Sequence, residues 1–79
     1  MKISLLISSL PTQNTTTRMR VWRSLKASGS AILRDGVYLL PISHSEKFDP
    51  IANDVISEHG TAYVFHAEQP SNLELAPFF

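Results

Sequence analysis

Four cations lie close together between residues 18 and 26, and their spacing bounds the chemistry open to this chain. Arg20, Arg23 and Lys26 recur at i, i+3 and i+6, which on a helix sweeps a basic stripe along one side. Such a stripe suits phosphate oxygens, and three contacts imply a salt slope of roughly −2.7 in log affinity per log salt. The alternative is a solvated helix face, because the stripe lies away from Val21 and Leu25. Arg34, between two short apolar runs, is either a fourth phosphate contact or a turn residue. Arg18 is different: on a helical wheel it projects into the inward arc, between Leu25 and Trp22. A buried unpaired charge is expensive, so Arg18 is expected to form a structural ion pair, with Asp35 as its partner. Trp22, beside the apolar stripe, reads as a core or half-core residue, with stacking on a base as the alternative.

The remaining polar groups make no catalytic constellation. His44, His59 and His66 match no zinc spacing, and His59 is read as a helix-end residue whose charge suits the local dipole. Asp35, Asp49 and Asp54 are scattered, with no pair to hold a divalent metal. Ser8 and Ser9 have no base nearby in the sequence to activate them. The three glycines fall at two helix ends and one turn, leaving none for a loop that cradles phosphate. The expectation is a binding domain with no enzymatic activity, no metal and no cofactor.

Positioning these groups requires a fold, and the pattern supplies one. Lys2 to Leu10 reads as a strand stopped by Pro11. The polar stretch Thr12 to Thr17 offers helix N-caps. A helix then runs to about Ser28 on the stripe Val21, Leu25 and Ser28, with Gly29 as its left-handed terminator. Ala31 to Leu33 and Val37 to Leu40 flank Arg34-Asp35-Gly36 as a hairpin, or else as one bent strand with a glycine bulge. Phe48, Ile51, Ala52, Val55, Ile56 and His59 give a second helix. Asp49-Pro50 would start it, or Ser45 with a distorted first turn, and Gly60 would close it. Thr61 to Ala67 is a last strand. The order β-α-β-β-α-β predicts an α+β, ferredoxin-like sandwich, an antiparallel sheet with two helices on one face. The domain is expected to span residues 1–68, followed by an irregular tail over 69–79.

Composition is consistent with that size. Seventy-nine residues with 43% hydrophobic content and zero net charge make one globular domain, and any basic surface must be local. The absence of cysteine fits a reducing, cytoplasmic setting. The opening apolar run is about five residues, too short for a secretory signal, and nothing approaches the ~20 residues of a membrane span. Both faces of the strands are apolar: Val37 and Leu39 oppose Tyr38 and Leu40, and Tyr63 and Phe65 oppose Ala62 and Val64. The sheet face away from the helices is therefore expected to meet a second copy or a partner domain.

Several of these residues form a larger pattern. Ser9-Leu10-Pro11, Arg18-Met19-Arg20-Val21-Trp22-Arg23, Leu25-Lys26, Gly29 and Leu33-Arg34-Asp35-Gly36-Val37-Tyr38-Leu39-Leu40-Pro41 closely resemble the N-terminal domain of the ChrB chromate-resistance regulators. The resemblance implies a bacterial transcriptional regulator whose N-terminal region binds operator DNA. Members of that family are longer, and their second domain, associated with chromate sensing, has no counterpart in these residues. More distantly, the layout is similar to the regulator of phenylacetate catabolism and to the small endonuclease-like proteins of CRISPR spacer acquisition. Those endonucleases place an aspartate at the end of the first strand, where Ile7-Ser8-Ser9-Leu10 stands here. A degenerate nuclease-like fold and a pure dimerisation module are therefore the alternatives to a DNA-binding domain.

Overall fold

A computed structural model describes residues 2–11 and 15–68; the expected tail over 69–79 lies outside the described residues. The elements are β1 (Lys2–Ser9), α1 (Thr15–Ser28), β2 (Ala31–Arg34), β3 (Val37–Pro41), a 3-10 segment (Ile42–Lys47), α2 (Phe48–Ser57) and β4 (Thr61–Glu68). The strands form one sheet in the order β2-β3-β1-β4, with every pairing antiparallel. This α+β arrangement of four antiparallel strands and two helices is compatible with the ferredoxin-like expectation.

Strand register decides what each helix can cover, because alternate residues face opposite sides. Leu6 lies opposite Tyr38 on one neighbour and Val64 on the other. These residues and Leu40 join Val21 and Leu25 of α1 with Phe48, Ile51, Ala52 and Val55 of α2 in or against one core cluster. Both helices therefore pack on the same face of the sheet. Phe48, Leu6, Leu25 and Val55 are fully buried there, and each such side chain contributes roughly 1.5–3 kcal/mol of burial free energy. The opposite face carries a smaller cluster of Ile3, Ala31 and Leu39 with Leu5 and Ala67 packed against it. Beside it, Ile7, Tyr63 and Phe65 remain 40%, 57% and 51% exposed, and the rings of Tyr63 and Phe65 stack with centroids 6.3 Å apart. Those three are large apolar residues of the helix-free face that stay exposed.

The hairpin reading holds, with a bulge added. Ile32 pairs with Tyr38 and Arg34 with Val37, so Leu33 is the extra residue of β2. Gly36 turns the chain at φ +83°. A side chain there would also strike Ser8, since a Cβ would lie 2.7 Å from its carbonyl oxygen. That close approach is held by the Ser8 N–H donating to the Gly36 carbonyl at 2.8 Å.

Two helix boundaries differ from expectation. Asp49 is not the N-cap of α2: the chain enters through the 3-10 segment, which includes Ser45 and is close to the alternative of a distorted first turn, and Lys47 caps the helix without a side-chain hydrogen bond. Pro50 is then accommodated in the first turn, where a missing N–H has no intrahelical acceptor to serve. At the other end, His59 rather than Gly60 takes the left-handed conformation, with φ 67°. Gly60 is needed for space instead. A Cβ on it would sit 2.5 Å from the Ser9 carbonyl oxygen and 2.7 Å from Val55 Cγ1.

Candidate functional site

Helix α1 carries four cations and no acid in its sequence TTTRMRVWRSLKAS. Its buried residues are Thr17, Val21 and Leu25, so this stripe turns to the sheet and the cations leave on either side of it. Where each one goes depends on what lies beside the helix.

Arg20 leaves toward α2. Its Nε donates to Asp54 Oδ2 at 2.9 Å and its Nη2 to Asp54 Oδ1 at 2.6 Å, a two-point grip that matches guanidinium to carboxylate. The same Nη2 lies 3.4 Å from Glu58 Oε1. The hydrogen bonds from Arg20 hold the Asp54 carboxyl below its ordinary range, against a smaller opposing effect of burial. Arg20, expected among the outward phosphate contacts, is thus half-exposed but committed to tying α1 to α2.

The other α1 cations lack acids. Among the described residues, ion pairs of α1 involve Arg20 alone. Arg23 is exposed. The Lys26 ammonium lies 5.9 Å from the centroid of the Trp22 ring, within cation–π range. Trp22 itself is 39% exposed, so it is half-core at most. Arg34 stands apart from all of these. It lies opposite Val37 in the hairpin, and that register sets it on the side of the sheet away from the helices.

The expected ion pair between Arg18 and Asp35 is absent. Both residues are exposed and line the same groove of about 550 Å3, together with Trp22, Tyr38, Ser8 and Ser9. Arg18 was expected inward because the wheel places it between Leu25 and Trp22. The helix instead stands off the β2–β3 turn on this side and opens the groove, so neither charge is desolvated enough to need the other.

One polar cluster escaped the sequence reading. Ser45 Oγ lies 2.9 Å from Ser4 Oγ and 2.8 Å from His66 Nε2. Ser4 is fully buried and faces His66 across the β1–β4 pairing, so the cluster satisfies a core hydroxyl and fastens the 3-10 segment to the sheet. The strand register could have joined Ser4 to His66. Nothing in the sequence would have added Ser45. Among the described residues no group of three acidic, histidine or cysteine side chains is arranged to hold a metal. No helix of the described residues is long and apolar enough to cross a membrane.

No protein-family model and no solved structure matches the chain. Among curated proteins, it is similar to Protein ChrB of Cupriavidus metallidurans strain CH34, with 38% identity over 76 residues. That match takes in 94% of this chain but spans only 24% of the relative's length. The match runs across almost every element described above, so the chain is similar to a domain-sized part of ChrB, about a quarter of that relative's length.

Proposed function

We propose that this chain is a ferredoxin-like, non-catalytic DNA-binding domain of a chromate-responsive, cytoplasmic transcription regulator. It contacts the phosphate backbone through α1. The observation that carries this reading is the charge balance of that helix. The chain as a whole is neutral, yet α1 holds four cations and no acid, and among the described residues the ion pairs of α1 are those of Arg20 with Asp54 and Glu58. Arg18, Arg23 and Lys26 are left as the phosphate contacts, with Arg34 on a separate side of the sheet. Phosphate contacts position a protein without reading sequence, so operator choice in this reading belongs to other parts of the regulator or to base contacts beside the helix. The test is retention of a duplex as salt is raised, since each phosphate contact adds about −0.9 to the slope.

A second contact surface follows from the sheet. Ile7, Tyr63 and Phe65 are large, apolar and about half exposed on the face away from the helices, and a patch of that kind marks an association site. We propose that it pairs with a second copy of this chain.

A further inference from the structure

The groove between α1 and the β2–β3 turn shares Arg18 with the proposed phosphate surface, and adds an acid and two aromatic walls that neither surface above requires. Its volume, about 550 Å3, lies within the ~300–1,000 Å3 of small-ligand sites. It combines the aromatic walls of Trp22 and Tyr38 with a cation, Arg18, and an anion, Asp35. The two charges do not neutralise each other, so a ligand that carries both a hydrogen-bond donor pair and an anion would satisfy both. We propose that this groove binds an unpaired guanine nucleotide, with the base against Trp22, its Watson–Crick edge on Asp35 and its phosphate on Arg18.

The choice of base follows from Asp35. An ionised carboxylate only accepts hydrogen bonds and offers two parallel oxygens. Guanine presents two adjacent donors, N1–H and the N2 amino group, which match those oxygens. Adenine and cytosine place a ring-nitrogen acceptor beside their amino group, and that lone pair repels a carboxylate. Enzymes and binders that take a base out of the stack read it in this way, through its Watson–Crick edge and an aromatic face. The backbone beside Asp35 is also held in place. Its neighbour Gly36 accepts a hydrogen bond from the Ser8 N–H at 2.8 Å and packs so closely on Ser8 that a Cβ would not fit. The turn that bears Asp35 is therefore anchored to β1, which fixes the position of the acid's backbone before a ligand arrives.

The proposal rests on the DNA-binding reading only in taking a nucleotide as the ligand, and its test avoids the duplex altogether. Trp22 is the one tryptophan of the chain, so its indole N–H gives a single cross-peak in a proton–nitrogen NMR spectrum. Guanosine monophosphate is expected to move that peak and the Gly36 amide, while cytidine monophosphate and inorganic phosphate at equal concentration leave them in place. Asp35→Asn is expected to weaken the guanosine monophosphate response at least tenfold, with peak dispersion confirming that the variant folds. No shift with guanosine monophosphate, an equal shift with the other two ligands, or an unchanged response in Asp35→Asn overturns the proposal. Duplex retention by the same samples reports on α1 separately: its loss with nucleotide binding intact would sink the DNA reading and leave the groove standing.

Discussion

Arg20 on α1 holds both carboxylate oxygens of Asp54 on α2, at 2.9 and 2.6 Å. This removes from the basic stripe the cation at its N-terminal end and gives it to the fold. The pair is exposed, so its contribution is screened by solvent and salt, yet it leaves a signature in pH. The Asp54 carboxyl is lowered chiefly by the hydrogen bonds from Arg20. A depressed carboxylate stabilises the fold at any pH above its unfolded value, about 3.9, and loses that contribution as pH falls through the depressed folded value. Asp54→Asn is expected to be less stable than the parent at neutral pH, with the gap closing below about pH 4. Chemical denaturation at pH 7 and pH 3 checks this, and a gap that is the same at both values would contradict it.

The His59-Gly60 pair inverts the usual order at a helix end, and substitutions at the two positions should have opposite signs. His59 occupies the left-handed region at φ 67°, which costs an L-residue roughly 1–2 kcal/mol. His59→Gly relieves that strain, less some chain entropy, and is expected to stabilise by about 0.5–1 kcal/mol. Gly60→Ala forces a Cβ against Ser9 and Val55 and is expected to destabilise by about 1–3 kcal/mol. Urea unfolding midpoints of the two variants provide the measurement, and a stabilising Gly60→Ala would refute the packing argument.

The uncovered sheet face gives an expectation about assembly. Phe65 is 51% exposed and stacks only on Tyr63 among the aromatic rings described, so Phe65→Lys removes apolar surface without opening the core. The parent chain is expected to sediment as a dimer at concentrations on the order of 10⁻⁵ M and above, equivalent to roughly −7 kcal/mol of association, and Phe65→Lys as a monomer whose thermal unfolding loses only its dependence on concentration. A parent that stays monomeric throughout that range would dispose of the second-copy reading.

Much of this fold was legible in the residues. The alternation of Tyr38 and Leu40 with Val37 and Leu39 and the helical stripe of Phe48, Ile51 and Val55 mark the core that forms, and Asp35-Gly36 marks the turn. What escaped was set by neighbours across the fold. The 3-10 segment after Pro41 depends on Ser45 meeting Ser4 and His66, residues 41 and 21 positions away. The helical wheel places Arg20 off the apolar stripe but does not say whether α2 or solvent lies on that side. It likewise places Arg18 inward without showing that the helix stands clear of the β2–β3 turn. A wheel describes one helix, whereas the fate of a flanking charge is decided by the element packed next to it.

The central claim is that Arg18, Arg23 and Lys26 bind phosphate, and the salt dependence of duplex binding tests it most directly. Anisotropy of a labelled duplex at 50 and 200 mM salt is expected to show a slope of roughly −2.7 per protein chain, about a 40-fold loss of affinity over that range. Arg23→Ala with Lys26→Ala, which breaks no ion pair among the described residues, is expected to reduce the slope to roughly −0.9 while Asp54 keeps Arg20 and the fold intact. A double variant that binds with the parent's slope, or a parent that does not bind duplex DNA at 50 mM salt, would contradict the account.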